Sequence, residues 1–157
     1  MGLDMWLYSN RKKTAAAAQK ATGSDRYLAR SDLAVYWRKA NAVHGWFVRN
    51  LFKDNDDSYC LASVDDLVAL KKDCNAVLQD ASLAEELLPT TPGFFFGSMD
   101  YDEKYFNELR RTVAGIDAIL DNVEEYTYDS FAGKLLGWRE KGETRDLEVI
   151  FRYVASW

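Results

Sequence analysis

The two ends of the chain constrain its fold more than any other feature. Near the start, Leu3, Met5 and Leu7 alternate with Asp4, Trp6 and Tyr8. Near the finish, Leu147, Val149, Phe151 and Tyr153 alternate with Glu148, Ile150, Arg152 and Val154. A period of two marks a strand with one face on a core. Between these ends the apolar period lengthens to that of amphipathic helices. The pattern predicts an α+β fold: a small antiparallel sheet including both terminal strands, packed with about three main helices. The first and last strands are expected to pair, on their shared apolar character.

The predicted helices are Asp32 to Phe52, Ser63 to Gln79, and a long one opened by Asp100 and Glu103 that carries its stripe to Val123. Ser63 with Asp66 forms a capping-box pattern. Ser82 to Leu88 reads as a short helical turn stopped by Pro89, and Tyr59 to Ala62 as a short strand. After Tyr126 the chain turns polar, regains apolar character over Phe131 to Trp138, and turns at Lys141–Thr144.

With 157 residues, 48% of them hydrophobic and 14% aromatic, the chain fits a single domain with its own core. No apolar run approaches the roughly 18 residues that span a bilayer. The N-terminus has no basic n-region, and Trp6 stands where a myristoylation pattern needs a small hydroxyl residue. A soluble protein of the cytosol is expected, with no membrane partner. Cys60 and Cys74 fit a reducing compartment and read as small buried hydrophobes. No metal or cofactor is expected.

The net charge of −5 is unevenly placed. Residues 1–31 hold six bases against two acids, whereas the rest holds 14 bases against 23 acids. The acidic body argues against direct duplex DNA binding, because it repels phosphates. It also permits mimicry of nucleic acid towards a basic groove. The basic segment 9–31 reads as a variable or mobile insertion, with its alanine run as either a brief helix or a hairpin tip.

Two features carry the functional reading. Plotted on the predicted helix Asp32–Phe52, one arc collects Leu33, Tyr36, Trp37, Ala40, Val43, His44, Phe47, Val48 and Leu51, and the opposite face holds Arg38, Asn41, Gly45 and Arg49. Two guanidiniums on such a face hold a carboxylate or phosphate, Asn41 adds a donor and an acceptor, and Gly45 admits close approach to the backbone. Trp46, at the edge of this face, favours a stacked base or an acidic partner if exposed. The second feature is Pro92-Gly93-Phe94-Phe95-Phe96-Gly97-Ser98. Adjacent residues of an extended segment face opposite ways, so three phenylalanines do not easily share one core. The loop is either a core plug or a platform that presents one ring, with Phe95 as the candidate.

His44, the single histidine, sits on the apolar arc and reads first as a core residue. As a general base it would need an orienting carboxylate such as Asp4 or Asp102. Asp54, Asp56 and Asp57 lack the glycine and glutamate of a calcium loop and read as a solvated turn. Trp157 is expected to dock in the core, with its carboxylate held by an arginine, in preference to contributing to a recognition surface.

Several segments resemble a family of uncharacterised small proteins of bacteriophage and prophage genomes. The matching residues are Met1 to Met5, Tyr36 to Val48, Leu87 to Ser98, Tyr101 to Glu103 with Tyr105, and Tyr153 to Trp157. Residues 9–31 depart from the family, and Cys60 falls later than its pattern. The resemblance implies a class: an accessory binding protein that stoichiometrically inhibits a host defence component. That component would be a protein, such as a CRISPR effector or a nuclease, or an immune signalling nucleotide. Arg38, Asn41 and Arg49 would supply polar contacts, with Trp46 and Phe95 as aromatic ones. A small nucleotide-processing enzyme built on His44, and a structural or assembly protein, are the alternatives. A homodimer is left open.

Overall fold

A computed structural model describes residues 2–26, 30–52, 59–141 and 149–157, without the side chains of 124–141. The elements run β1 (Asp4–Ser9), α1 (Lys12–Thr22), β2 (Leu33–Arg38), α2 (Asn41–Leu51), β3 (Tyr59–Ala62), α3 (Val64–Gln79), α4 (Ala84–Leu87), α5 (Glu103–Lys141) and β4 (Phe151–Ser156). The fold is α+β. All strand pairs are antiparallel, in the order β2-β1-β4-β3. The two terminal strands therefore pair with each other at the centre of the sheet.

The alternation read at both ends sets the inner face. Leu7 lies opposite Tyr153 and Val35, and Met5 opposite Ala155 and Trp37. All six side chains are buried. Helix residues cover them. Phe47 of α2 stacks on Tyr153 at 3.9 Å between ring centroids, nearly parallel. The buried Trp37 indole donates from Nε1 to Thr112 Oγ1 of α5 at 2.9 Å, which satisfies its one polar atom.

The helices form for local reasons. Ser63 accepts from the Asp66 backbone N–H at 3.1 Å while Asp66 accepts from the Ser63 N–H at 2.8 Å, the reciprocal box that opens α3. Leu67, Leu70, Cys74 and Val77 form its buried stripe. The start of α5 falls after Asp102, whose carboxylate accepts from Tyr105 N–H. It lies a little later than the predicted opening at Asp100. The backbone of α5 then runs on through the polar and apolar stretches to Lys141.

The predicted helix Asp32–Phe52 is corrected. Its first part is strand β2, and α2 begins only at Asn41. Every residue from Leu33 to Trp37 is buried, so the strand is apolar on both faces and shows no alternation. A continuous apolar run fits a helical arc as easily as a strand. Lys39 then takes φ 56°, a left-handed turn that breaks any helix between Arg38 and Asn41.

Part of the segment read as variable or mobile is structured. Lys12–Thr22 is helix α1, with Thr14, Ala15 and Ala18 fully buried. Small residues set its closeness to the rest of the core. A Cβ at Gly115 of α5 would lie 2.8 Å from Thr22 Cγ2 and 3.0 Å from Val35 Cγ2. The acidic turn Asp54, Asp56 and Asp57, the start of the predicted last strand at Leu147 and Glu148, and the turn after Lys141 lie outside the described residues.

Candidate functional site: the aromatic loop

The face of α2 read as open to solvent is where the loop 87–98 docks. The Asn41 side chain donates from Nδ2 to Phe96 O at 3.0 Å and to Ser98 O at 2.9 Å, and accepts from Thr91 N–H at 2.9 Å. Gly45, one turn on, lets the loop approach: a Cβ there would fall 2.3 Å from Thr91 Oγ1. Arg49, a further turn on, reaches Leu87 O at 3.4 Å. The three residues do share a face, but their shared partner is the chain's own loop.

The other predicted contacts separate. Arg38 is on β2, where it pairs with Asp4 at 3.1 Å. Trp46 is not an exposed indole; it is 3% exposed and donates to Asp73 Oδ2 of α3 at 2.9 Å. Its sequence signal, a position at the edge of a helix face, is also that of a residue packed against a second helix.

The loop resolves its three phenylalanines unequally. Phe96 is buried and meets the His44 ring edge-on at 5.4 Å. Phe94 is 79% exposed and Phe95 45% exposed, in edge-to-face contact at 4.6 Å. Phe95 has φ 66°. A bulky side chain in the left-handed region is strained by about 1–3 kcal/mol. The surrounding bonds impose it: Leu3 N–H donates to Phe95 O at 3.1 Å, and Phe96 N–H to Gly93 O at 3.1 Å. Leu3 O also accepts from Lys39 N–H at 2.7 Å, so Lys39 stands beside the loop. Trp157 closes the rim. Its ring contacts Phe96 and His44, each at 5.5 Å, yet it is 59% exposed rather than docked in the core.

His44 is a core histidine, as its position on the apolar arc suggested. Its Nδ1 shares a 2.7 Å hydrogen bond with Tyr153 Oη. Burial lowers its pKa to about 4 and raises that of Tyr153, so both are neutral near pH 7. Neither expected carboxylate joins it. Asp4 points to the outer side of the sheet and accepts from Tyr36 Oη at 2.5 Å, and Asp102 caps α5. Burial pushes the Cys60 and Cys74 thiols up to about 12, which removes their nucleophilic form at neutral pH. Among the described residues no cluster of His, Cys, Asp or Glu could hold a metal ion, and no helix is long and apolar enough to cross a membrane.

A cleft at the foot of the loop is lined by Lys39, Asn41, Thr90, Ser98, Lys104 and Glu108. Its volume is about 40 Å³. Small-molecule sites take roughly 300 Å³ or more. Burial raises the Glu108 carboxyl above the usual carboxylate range.

Comparison with known proteins adds no relative: no family model, curated protein or solved structure matches the chain.

Proposed function

We propose that this chain is a binding protein that captures a partner protein stoichiometrically, with Phe94 and Phe95 as its anchors. The observation that carries the reading is the strained, exposed aromatic pair held on a braced loop. Aromatic rings are enriched at the core of protein interfaces, and contiguous exposed apolar patches mark interaction sites. The left-handed conformation of Phe95, held by the bonds that brace the loop, suits a residue fixed in place for binding. The resemblance to phage proteins supplies the setting, inhibition of a host defence component.

The test is co-purification of the tagged chain from a bacterial host lysate, with Phe94→Ala and Phe95→Ala as controls. One host protein is expected at equal stoichiometry with the unaltered chain, and at least about tenfold less with either variant, the loss of roughly 1.4 kcal/mol or more expected at a hot spot. Equal recovery by all three chains would discard the reading.

A further inference from the structure

The aromatic loop meets the rest of the molecule at one end of the sheet, and another exposed ring stands there. Leu3 precedes β1 and continues its line. Its N–H donates to Phe95 O at 3.1 Å, and its carbonyl accepts from Lys39 N–H at 2.7 Å. Both groups of one extended residue point to the same edge, so Phe95 and Lys39 lie on the β2 side of Leu3. On the opposite side of β1 runs β4. Asp4 pairs with Ser156, and the register continued by one residue sets Trp157 beside Leu3. Neighbouring strands stand about 4.8 Å apart, so the backbones of Phe95 and Trp157 are separated by roughly 10 Å. Phe96, next in the chain to Phe95, bridges the two: its buried ring meets that of Trp157 at 5.5 Å.

Folding leaves the Trp157 indole more than half in water. Its contacts to Phe96 and His44 are edge contacts. With about 200 Å² for each aromatic side chain, Phe94 and Phe95 together expose roughly 250 Å², and Trp157 adds on the order of 100 Å². A stable protein interface takes about 800 Å² from each partner. The loop pair supplies less than a third of that area. A partner seated on the pair therefore has to extend its contact beyond the loop. Across Phe96, on the β4 side, the surface it meets is the Trp157 ring.

We infer that Trp157 is a third anchor of the capture surface, so that the partner protein presents a continuous apolar strip across this end of the sheet and not a pocket for the loop pair alone. The inference rests on the reading of Phe94 and Phe95 as anchors and adds the end of β4 to that site. An indole has few rotatable bonds, and this one is steadied along one edge by Phe96, so it offers contact area at a low entropic cost. A lipid surface fits less well. Asp100 and Asp102 are exposed at the stem of the loop, which Thr90 Oγ1 closes by donating to Met99 O, and both carboxylates oppose anionic headgroups.

The experiment places a photoreactive phenylalanine analogue at Phe94, Trp157 or Tyr59 in three tagged full-length chains, each irradiated in a bacterial host lysate. Phe94 and Trp157 are expected to yield links to the same host protein, identified by mass spectrometry. Tyr59, exposed on β3, should yield none. In parallel, Trp157→Ala at unchanged melting temperature should recover at least about tenfold less of that protein, the loss of an anchor. If this variant melts lower, the link at Trp157 decides alone. A protein joined at Phe94 but not at Trp157 overturns the inference and leaves the loop reading standing. No product at Phe94 removes the loop reading and this inference with it. The inference is also overturned by the same product from Tyr59, by unchanged recovery with a stable Trp157→Ala chain, or by Trp157 linking only to a second copy of the chain. Retention of the chain on phosphatidylglycerol vesicles that Trp157→Ala abolishes would overturn it too, in favour of a membrane.

Discussion

Phe96 and Phe94 are two residues apart in one loop and have opposite fates. The Phe96 side belongs to the core: Asn41 holds its carbonyl and His44 meets its ring. The Phe94–Phe95 side belongs to solvent, at 79% and 45% exposure. One half is fixed in the core and the other is exposed. A side chain presented from a braced backbone loses less freedom on binding than one on a free loop. The contrast also explains the run of three aromatics, which a core alone would not need.

The comparison breaks most severely at Phe96→Ala. The loss of a buried phenyl costs about 3–5 kcal/mol. Chemical denaturation should show that drop, and a drop below about 1 kcal/mol would mean that the inner half is not anchored through Phe96.

Acid should act on the same half through His44. Its pKa is about 4 in the fold against 6.5 ordinarily. Above pH 6.5 both folded and unfolded forms are neutral, so nothing is lost. As pH falls from 6.5 towards 4 the unfolded chain takes up the proton first, and stability declines by on the order of 3 kcal/mol before levelling. Denaturation midpoints from pH 7 to 4 should follow this curve, with the His44→Gln chain flatter over the same range. Parallel curves for the two chains would show that His44 titrates normally.

Asn41→Ala is expected to cost about 2 kcal/mol, because Phe96 O and Thr91 N–H lose their partner in a buried place. Hydrogen exchange should speed up at Thr91 while α3 stays protected. Unchanged exchange would show that other contacts hold the loop.

The smallest effect has the opposite sign. Phe95→Gly removes a left-handed strain of ~1–3 kcal/mol against the ~0.5–1 kcal/mol entropic cost of glycine. Stability should rise by about 1 kcal/mol, at the expense of binding. A fall of more than that amount would make Phe95 a packing residue instead of a displayed one.

How much of this was legible in the sequence depends on distance along the chain. The terminal strands and the Ser63–Asp66 box were readable, because alternation and capping are local patterns. The break after Arg38 was not. Strand β2 is buried on both faces, and nothing in the identity of Lys39 announces φ 56°. Asn41, Gly45 and Arg49 were rightly placed on one face, yet their use was hidden, since Asn41 reaches partners 50 to 57 residues away. Trp46 was misread for the same reason: Asp73 lies on another helix. The loop was posed as a plug or a platform, and the structure buries Phe96 while leaving Phe94 and Phe95 exposed.

The most direct test of the displayed half uses a photoreactive phenylalanine analogue at position 94, with the same analogue at the exposed Val48 as control. Irradiation in a bacterial host lysate should join position 94 to one host protein, while position 48 gives no such product. The absence of any product from position 94, or the same product from both positions, would contradict the account.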